Sequence, residues 1–291
     1  MIGVDWGTTR FRAWRLGPDG SVRDRRNGDR GIMSVNDGRF ADVLRDSIGP
    51  WLAAGEDRVL LCGMVGSRQG WHEVPYVECP AGAADLAQRL TEVPFRWARA
   101  RLVPGLSGRD MNGVPEVMRG EETQIVGILP AIDGEGLVCL PGTHAKWARV
   151  AGGQVIGFST HMTGEVFAAL RGHTILGRLM RDGGHDQEAF SRGLARSADA
   201  GGLLHHLFGI RALGLAGLLR DASAPSYLSG LLIGHEVRAA MSCPSDVHLV
   251  GAAELVALYA EAITARGGRP ITHPPDAAAT GLATIGAAAT W

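Results

Sequence analysis

Two short stretches of this chain carry residue types suited to holding an anion. Near the start, Val4-Asp5-Trp6-Gly7-Thr8-Thr9 places one carboxylate at the end of an apolar run, followed by a glycine and two threonines. Midway along, Pro141-Gly142-Thr143-His144 sets another glycine-threonine pair after a second apolar run. A tight turn of glycine and hydroxyl residues exposes several backbone N–H groups on one side, and a concave array of such donors is an anion site. One Gly-Thr pair alone reads as an ordinary hairpin. Asp5 at the end of a buried strand, and the repetition in the second half, shift the reading towards polyphosphate. Gly7, Thr8 and Thr9, facing Gly142, Thr143 and His144 across a cleft, could hold the β- and γ-phosphates of a nucleotide. Asp5 would orient Mg2+ through water.

The elements that must position these turns are also doubled. Ile2 to Asp5, Arg10 to Leu16 and Ser21 to Asp24 read as three strands, with Gly17-Pro18-Asp19-Gly20 as the second turn. Leu137 to Leu140, a strand ending at Val150, a Gly152-Gly153 turn and a strand ending at Phe158 repeat that meander. Such self-similarity predicts a duplicated, two-domain α/β fold. Phe40 to Trp51 has helical spacing, and Arg58 to Cys62 reads as a buried strand. Gly63 to Gly113 mixes Gly, Pro, Trp and charge without a period, which suggests long functional loops. Pro115 to Leu129 is predicted as one helix, helices dominate Gly164 to Met241, and a strand recurs at Val247 to Val250. The Ala-rich "DAAATGLATIGAAAT" predicts a terminal helix able to pack closely at a domain junction. The expected division is therefore 1–114, a connecting helix 115–130, 131–275, and a terminal helix 276–291.

Composition narrows the partners. In 291 residues, 29 Lys+Arg against 30 Asp+Glu leave no basic surface for nucleic acid and no acidic tail, so the expected partner is a small molecule. Cys62, Cys79, Cys139 and Cys243 are far apart and lack metal-ligand spacing, which suggests reduced thiols and a cytoplasmic setting. No signal-like leader and no bilayer-length apolar stretch is evident, so no membrane is expected.

"DWGTT", "PGTHAKW" and "LVGAAEL" occur in the order used by the sugar kinase, heat-shock protein and actin superfamily. More closely, "GMVGSRQGWHEVPYVECPAG", "MRGEETQIVG", "LPGTHAKWARV" and "YLSGLLIGHE" resemble the 2-dehydro-3-deoxygalactonokinase family, through nearly the whole chain. The resemblance implies an actin-like, hexokinase-like ATPase fold of two ribonuclease H-like domains about a central cleft. It also implies ATP with Mg2+, and phosphorylation of 2-dehydro-3-deoxy-D-galactonate at its 6-hydroxyl in galactonate catabolism. Asp5, Gly7 and Thr8 fall on its first phosphate motif, Gly142 and Thr143 on its second, and Gly251 on its adenosine motif. The superfamily often pairs glycines at that last junction; here it is Gly251-Ala252.

Such a substrate has a carboxylate, for which Arg68 or Arg109 is a natural partner, with Trp71, His72 and Asp110 in the same loops. For the general base, a helix over 115–129 would project Glu121 from an apolar stripe of Val117, Met118, Ile125, Ile128 and Leu129, with Glu122 at its edge. Glu121 also precedes Gly142 by 21 residues, similar to the offset of the catalytic Asp in related sugar kinases. Glu122 and Asp110 are the alternatives. His144 is the favoured functional residue after the second turn, Lys146 reads as a solvated strand lysine, and His161, His173, His205 and His206 as structural. The rival readings are a kinase for 2-dehydro-3-deoxygluconate, a phosphatase or ATPase, and a non-catalytic sugar sensor.

Overall fold

The computed structural model describes residues 1–110 and 112–291. In chain order, β1 (Ile2–Trp6), β2 (Phe11–Leu16) and β3 (Val22–Gly28) form an antiparallel meander. Helix α1 (Phe40–Ala53) returns the chain to β4 (Arg58–Cys62), which lies parallel to β1. There follow β5 (Val77–Glu78), β6 (Ala81–Gly82), α2 (Ala83–Gln88), β7 (Thr91–Val93) and β8 (Arg99–Leu102). The first sheet has the order β3-β2-β1-β4-β8-β7. All five residues of β1 are buried, as a strand covered on both faces must be. Trp6, Leu44, Ile48 and Leu61 belong to the core it helps to build.

The segment expected as one helix over 115–129 is two elements. β9 (Leu106–Arg109) pairs antiparallel with β10 (Pro115–Met118), and helix α3 spans only Glu121–Ile128, followed by a 3₁₀ turn. The physical reason lies in Gly120, whose φ of 106° no right-handed helix contains. Alternation also fits a strand: Val117 is 47% exposed and Met118 2%. Likewise the stretch 63–113, expected as loops, holds short strands and α2.

The meander recurs with β11 (Glu135–Leu140), β12 (Ala145–Ala151) and β13 (Gln154–His161). Helices α4 (Thr163–His173), α5 (Gln187–Arg196), α6 (Gly202–Leu215) and α7 (Ala224–Ala240) lead to β14 (Asp246–Leu249), α8 (Ala253–Ala265), β15 (Arg269–Thr272) and α9 (Ala277–Ala288). The second sheet runs β15-β14-β11-β12-β13-β6, with β14 parallel to both β11 and β15. Three meander strands followed by parallel strands on the far side of the first thus occur twice.

The chain divides into two compact units. The first comprises 1–136, 148–158 and 273–291; the second comprises 137–147 and 159–272. These bounds differ from cuts near 114, 131 and 275, because 148–158 and the terminal helix group with the first unit. Among the described residues no helix is long and apolar enough to cross a membrane. All four cysteines are free thiols.

Candidate active site

In the first unit, the turn after β1 exposes Thr8 and Thr9. Its carbonyls are tied down: those of Gly7, Thr8 and Thr9 accept from the N–H groups of Ile32, Met33 and Gly31, at 3.0, 3.2 and 3.2 Å. Gly31 is what allows this approach, since a Cβ there would stand 2.3 Å from the Thr8 carbonyl oxygen. The Gly7 N–H donates to Arg10 O at 2.9 Å, so Thr8 and Thr9 are the exposed residues of the turn whose amides an anion could use.

Asp5 sits at the foot of this turn, 6% exposed. It faces Arg12 in the β1–β2 register, and Arg12 Nη2 donates to its Oδ2 at 2.5 Å. Burial raises the Asp5 carboxyl above the ordinary range, and the Arg12 charge and hydrogen bond partly offset that. Beside it, Gly63 ends β4 with φ 92°, and a Cβ there would meet Trp6 O at 2.8 Å and Asp5 Oδ1 at 3.0 Å. Gly120 closes on Gly63 in turn, with 3.1 Å between its would-be Cβ and the Gly63 Cα. Sequence reading singled out neither glycine; only the positive φ values and the crowding reveal them.

Helix α3 therefore starts beside the Asp5 carboxylate, and its first two residues are Glu121 and Glu122. Burial of the two glutamates is the reverse of what a stripe on one helix over 115–129 predicts. Glu122, 0% exposed, is the desolvated carboxyl, and Glu121 is half-buried. Glu122 Oε2 accepts from Gly120 N at 2.6 Å and Oε1 from the Thr123 hydroxyl at 2.9 Å. Burial, with Glu121 adding to it, pushes the Glu122 carboxyl up to about 8, so at neutral pH it is mostly a neutral acid. Glu121 Oε2 accepts from Arg119 N at 3.1 Å. Cys62 is buried between the fields of Asp5 and Glu122; burial first and those charges second raise its thiol, which leaves it inert.

The second unit builds its own turn in a similar way. Thr143 and His144 are exposed, and Gly142 is half-buried. A glycine again backs the turn: a Cβ on Gly164 would stand 2.6 Å from the Gly142 carbonyl oxygen, and Glu165 N donates to Thr143 O at 3.1 Å. His144 Nε2 contacts the Glu165 carboxylate. Gly251 packs against the same segment, 3.5 Å from Pro141 O to its would-be Cβ, so the N-terminus of α8 starts beside the turn. The methyl of Ala252 is on the exposed side of this junction. Lys146 is not a solvated edge residue: β12 lies inside the sheet, Lys146 is 6% exposed, and its Nζ donates to the Thr160 hydroxyl at 2.8 Å.

The residues read as substrate contacts scatter within the first unit. Trp71 stacks on Phe40 and meets Phe95 edge-on, so its ring is taken up by packing. Arg109 is exposed and donates to Gly113 O; Asp110 accepts from the N–H groups of Asn112 and Val114. Both hold the tip of the β9–β10 hairpin, which explains an aspartate at that position without a reacting proton. Arg68 and His72 are exposed on the loop after β4. The arginine that is buried is Arg119, in the "MRGEE" segment, which composition and periodicity gave no reason to select.

Among the described residues no group of three or more His, Cys, Asp or Glu could hold a metal ion alone. One carboxylate in a cradle that only glycine leaves open fits a hydrated Mg2+ whose other ligands are phosphate and water.

The doubled strand order and the paired turns define an actin-like, hexokinase-like ATPase fold of the sugar kinase class. At the level of fold alone, the structure of the activator of 2-hydroxyisocaproyl-CoA dehydratase from Clostridium difficile, which holds ADPNP, superposes with a TM-score of 0.53 at 12% identity, covering 99% of this chain and 95% of that one. A model of the 2-keto-3-deoxy-galactonokinase family matches residues 5–285, and this chain belongs to that family of carbohydrate kinases. The Escherichia coli (strain K12) 2-dehydro-3-deoxygalactonokinase is 35% identical over 271 residues, 91% of this chain and 90% of that protein. A Rhizobium meliloti (strain 1021) protein named as a probable 2-dehydro-3-deoxygalactonokinase, DgoK1, is 39% identical over 272 residues, 91% and 89% of the two chains. A crystal structure from Sinorhizobium meliloti named for the same kinase has a TM-score of 0.89 at 37% identity, covering 99% of this chain and 97% of that one.

Proposed function

We propose that this protein transfers the γ-phosphoryl group of ATP to the 6-hydroxyl of 2-dehydro-3-deoxy-D-galactonate. The observation that carries the reading is that both Gly-Thr motifs, in a chain of this family, form exposed turns backed by a close-packed glycine. In this reading Gly7, Thr8 and Thr9 are the phosphate contacts of the first unit, Gly142, Thr143 and His144 those of the second, and Gly251 the adenosine contact. Asp5 would hold Mg2+ through its water shell. When bound, that ion neutralises charge on the phosphate oxygens.

Glu121 is the proton acceptor in this reading. It is accessible where Glu122 is not, and the Arg119 N–H holds its carboxylate in place at the N-terminus of α3. The bond from the γ-phosphorus to the ADP oxygen breaks, the bond to O6 forms, and the hydroxyl proton goes to Glu121. Four free thiols suit a cytoplasmic setting, where ATP is available.

The test is ADP release with 2-dehydro-3-deoxy-D-galactonate, its gluconate-derived epimer and ordinary hexoses. Release that depends on the galactonate-derived acid supports the reading. Release without any sugar would make the protein an ATPase, and sugar binding without release would make it a sensor.

A further inference from the structure

Among the described residues, four buried side-chain polar atoms have no hydrogen-bond partner, and three of them belong to two residues of the first unit: Arg119 Nε, Arg119 Nη1 and Ser67 Oγ. Arg119 is 9% exposed. Its Nη2 donates to Val74 O at 2.6 Å, and the guanidinium lies 4.4 Å from the centroid of the Tyr76 ring, so one edge is anchored and one face covered. Ser67 is adjacent in sequence to Gly66, and a Cβ on Gly66 would stand 3.1 Å from Arg119 Nη1. A side chain at position 66 would therefore press on that nitrogen.

A guanidinium keeps its charge, and each of its donors left unsatisfied on burial carries the cost of desolvation. Folded proteins leave few such groups, and one that persists calls for a ligand. The donors here are a cation's N–H groups and a hydroxyl, none of them hydrogen-bonded, which is the complement of an anion.

We infer that Arg119 and Ser67 form the subsite for the carboxylate of the sugar acid, in place of the exposed Arg68 and Arg109. The inference rests on the kinase reading for the identity of the acid. It adds the residues that make the enzyme select acids over neutral sugars. Arg119 directly precedes Gly120 and lies two residues before Glu121, so one segment carries both the carboxylate anchor and the proton acceptor. Tyr76, on the guanidinium face, fixes its plane.

The experiment is calorimetric titration of 2-dehydro-3-deoxy-D-galactonate, and of its neutral analogue with a primary alcohol at C1, into the wild type, Arg119→Met and Ser67→Ala. The wild type is expected to bind the acid at least about thirtyfold more tightly than the alcohol, the range of hydrogen bonds to a charged group. In Arg119→Met that preference is expected to fall to within about threefold, with ATP affinity near the wild-type value. Methionine fills the stem's volume and removes unsatisfied donors, so a structural role for Arg119 would instead show as lost stability with the preference intact. Should Arg119→Met fail to fold, Ser67→Ala decides: the acid is expected to weaken about three- to tenfold, and the alcohol not at all. A folded Arg119→Met that keeps the preference, an unchanged Ser67→Ala, or a wild type that binds both ligands alike overturns the inference. ADP release by the wild type tests the kinase reading separately.

Discussion

Arg12 and Asp5 are directly opposed across the β1–β2 ladder, and the guanidinium holds one carboxylate oxygen at 2.5 Å while the other faces Gly63. The guanidinium offsets part of what burial costs this carboxylate, and a side chain at position 63 would press on its other oxygen. Asp5→Asn preserves shape and removes the charge. Turnover is expected to fall by about two orders of magnitude, as several kcal/mol of charge stabilisation would predict, while the melting midpoint changes little. Normal turnover at ordinary Mg2+ would exclude Asp5 from this role.

Arg12→Gln tests the pairing through pH. Burial raises the Asp5 carboxyl, and Arg12 lowers it. Asp5 acts as a carboxylate, so activity is lost as pH falls through its pKa. Removing Arg12 lifts that pKa further, and the acidic limb of the kcat/KM profile should move to higher pH. An unmoved limb would mean that some other group sets it.

The two glutamates that open α3 separate by substitution. Glu121→Gln should lower turnover at least about a hundredfold with ATP and acid binding retained, the usual cost of losing a general base. Glu122→Gln mimics the neutral acid that Glu122 already is below pH 8, and should keep most activity at pH 7. The opposite pattern would move the base one residue along the chain.

The same glutamates show where sequence reading stopped. The strands and the Gly-Thr turns were legible because apolar runs bounded by turn residues depend on neighbours in sequence; Arg58–Cys62 is the strand expected, residue for residue, whereas the polar β3 runs on to Gly28, past the expected end at Asp24. The duplicated meander was legible for the same reason. The helix over 115–129 was not, because a single Gly120 at φ 106° separates strand from helix, and glycine alone does not announce its φ. That error placed the buried carboxylate at 121 when it stands at 122. Gly31 and Gly164, which back the two turns, are distant in sequence from what they touch, and Arg119 looks like any surface arginine until its neighbours are known.

Glu122 should also make stability depend on pH. Its folded pKa is raised from 4.5 to about 8, so the folded protein keeps a proton that the unfolded chain releases. Stability from this group is full below about pH 4.5 and is lost as pH rises towards 8, at up to about 1.4 kcal/mol per pH unit for one proton. Urea midpoints measured from pH 5 to 8 should fall more steeply for the wild type than for Glu122→Gln. Parallel slopes would show that Glu122 does not hold its proton in the folded state.

The last prediction concerns what holds α3 in place. Helix α9 packs on α3 at backbone contact distance: a Cβ on Gly281 would stand 1.8 Å from Thr123 O, and one on Gly127 would stand 1.9 Å from Ala277 O. The contact is reciprocal, each helix supplying a glycine at the other's carbonyl, and Thr123 is the residue whose hydroxyl donates to Glu122. A methyl cannot enter either space without separating the helices, because the obstructing atoms are backbone. Gly281→Ala should therefore destabilise the protein by about 1 to 3 kcal/mol or more, as overpacking does, and should lower turnover by shifting Glu121. Helix propensity alone predicts the opposite sign, since alanine replaces glycine inside a helix. Gly209→Ala in α6 isolates that term: its Cβ would meet nothing within 4 Å, so the substitution should stabilise by roughly 0.5 to 1 kcal/mol and leave turnover unchanged. Opposite shifts of the urea midpoint for the two variants would establish the α3–α9 approach. A stabilised Gly281→Ala would show that the helices stand farther apart.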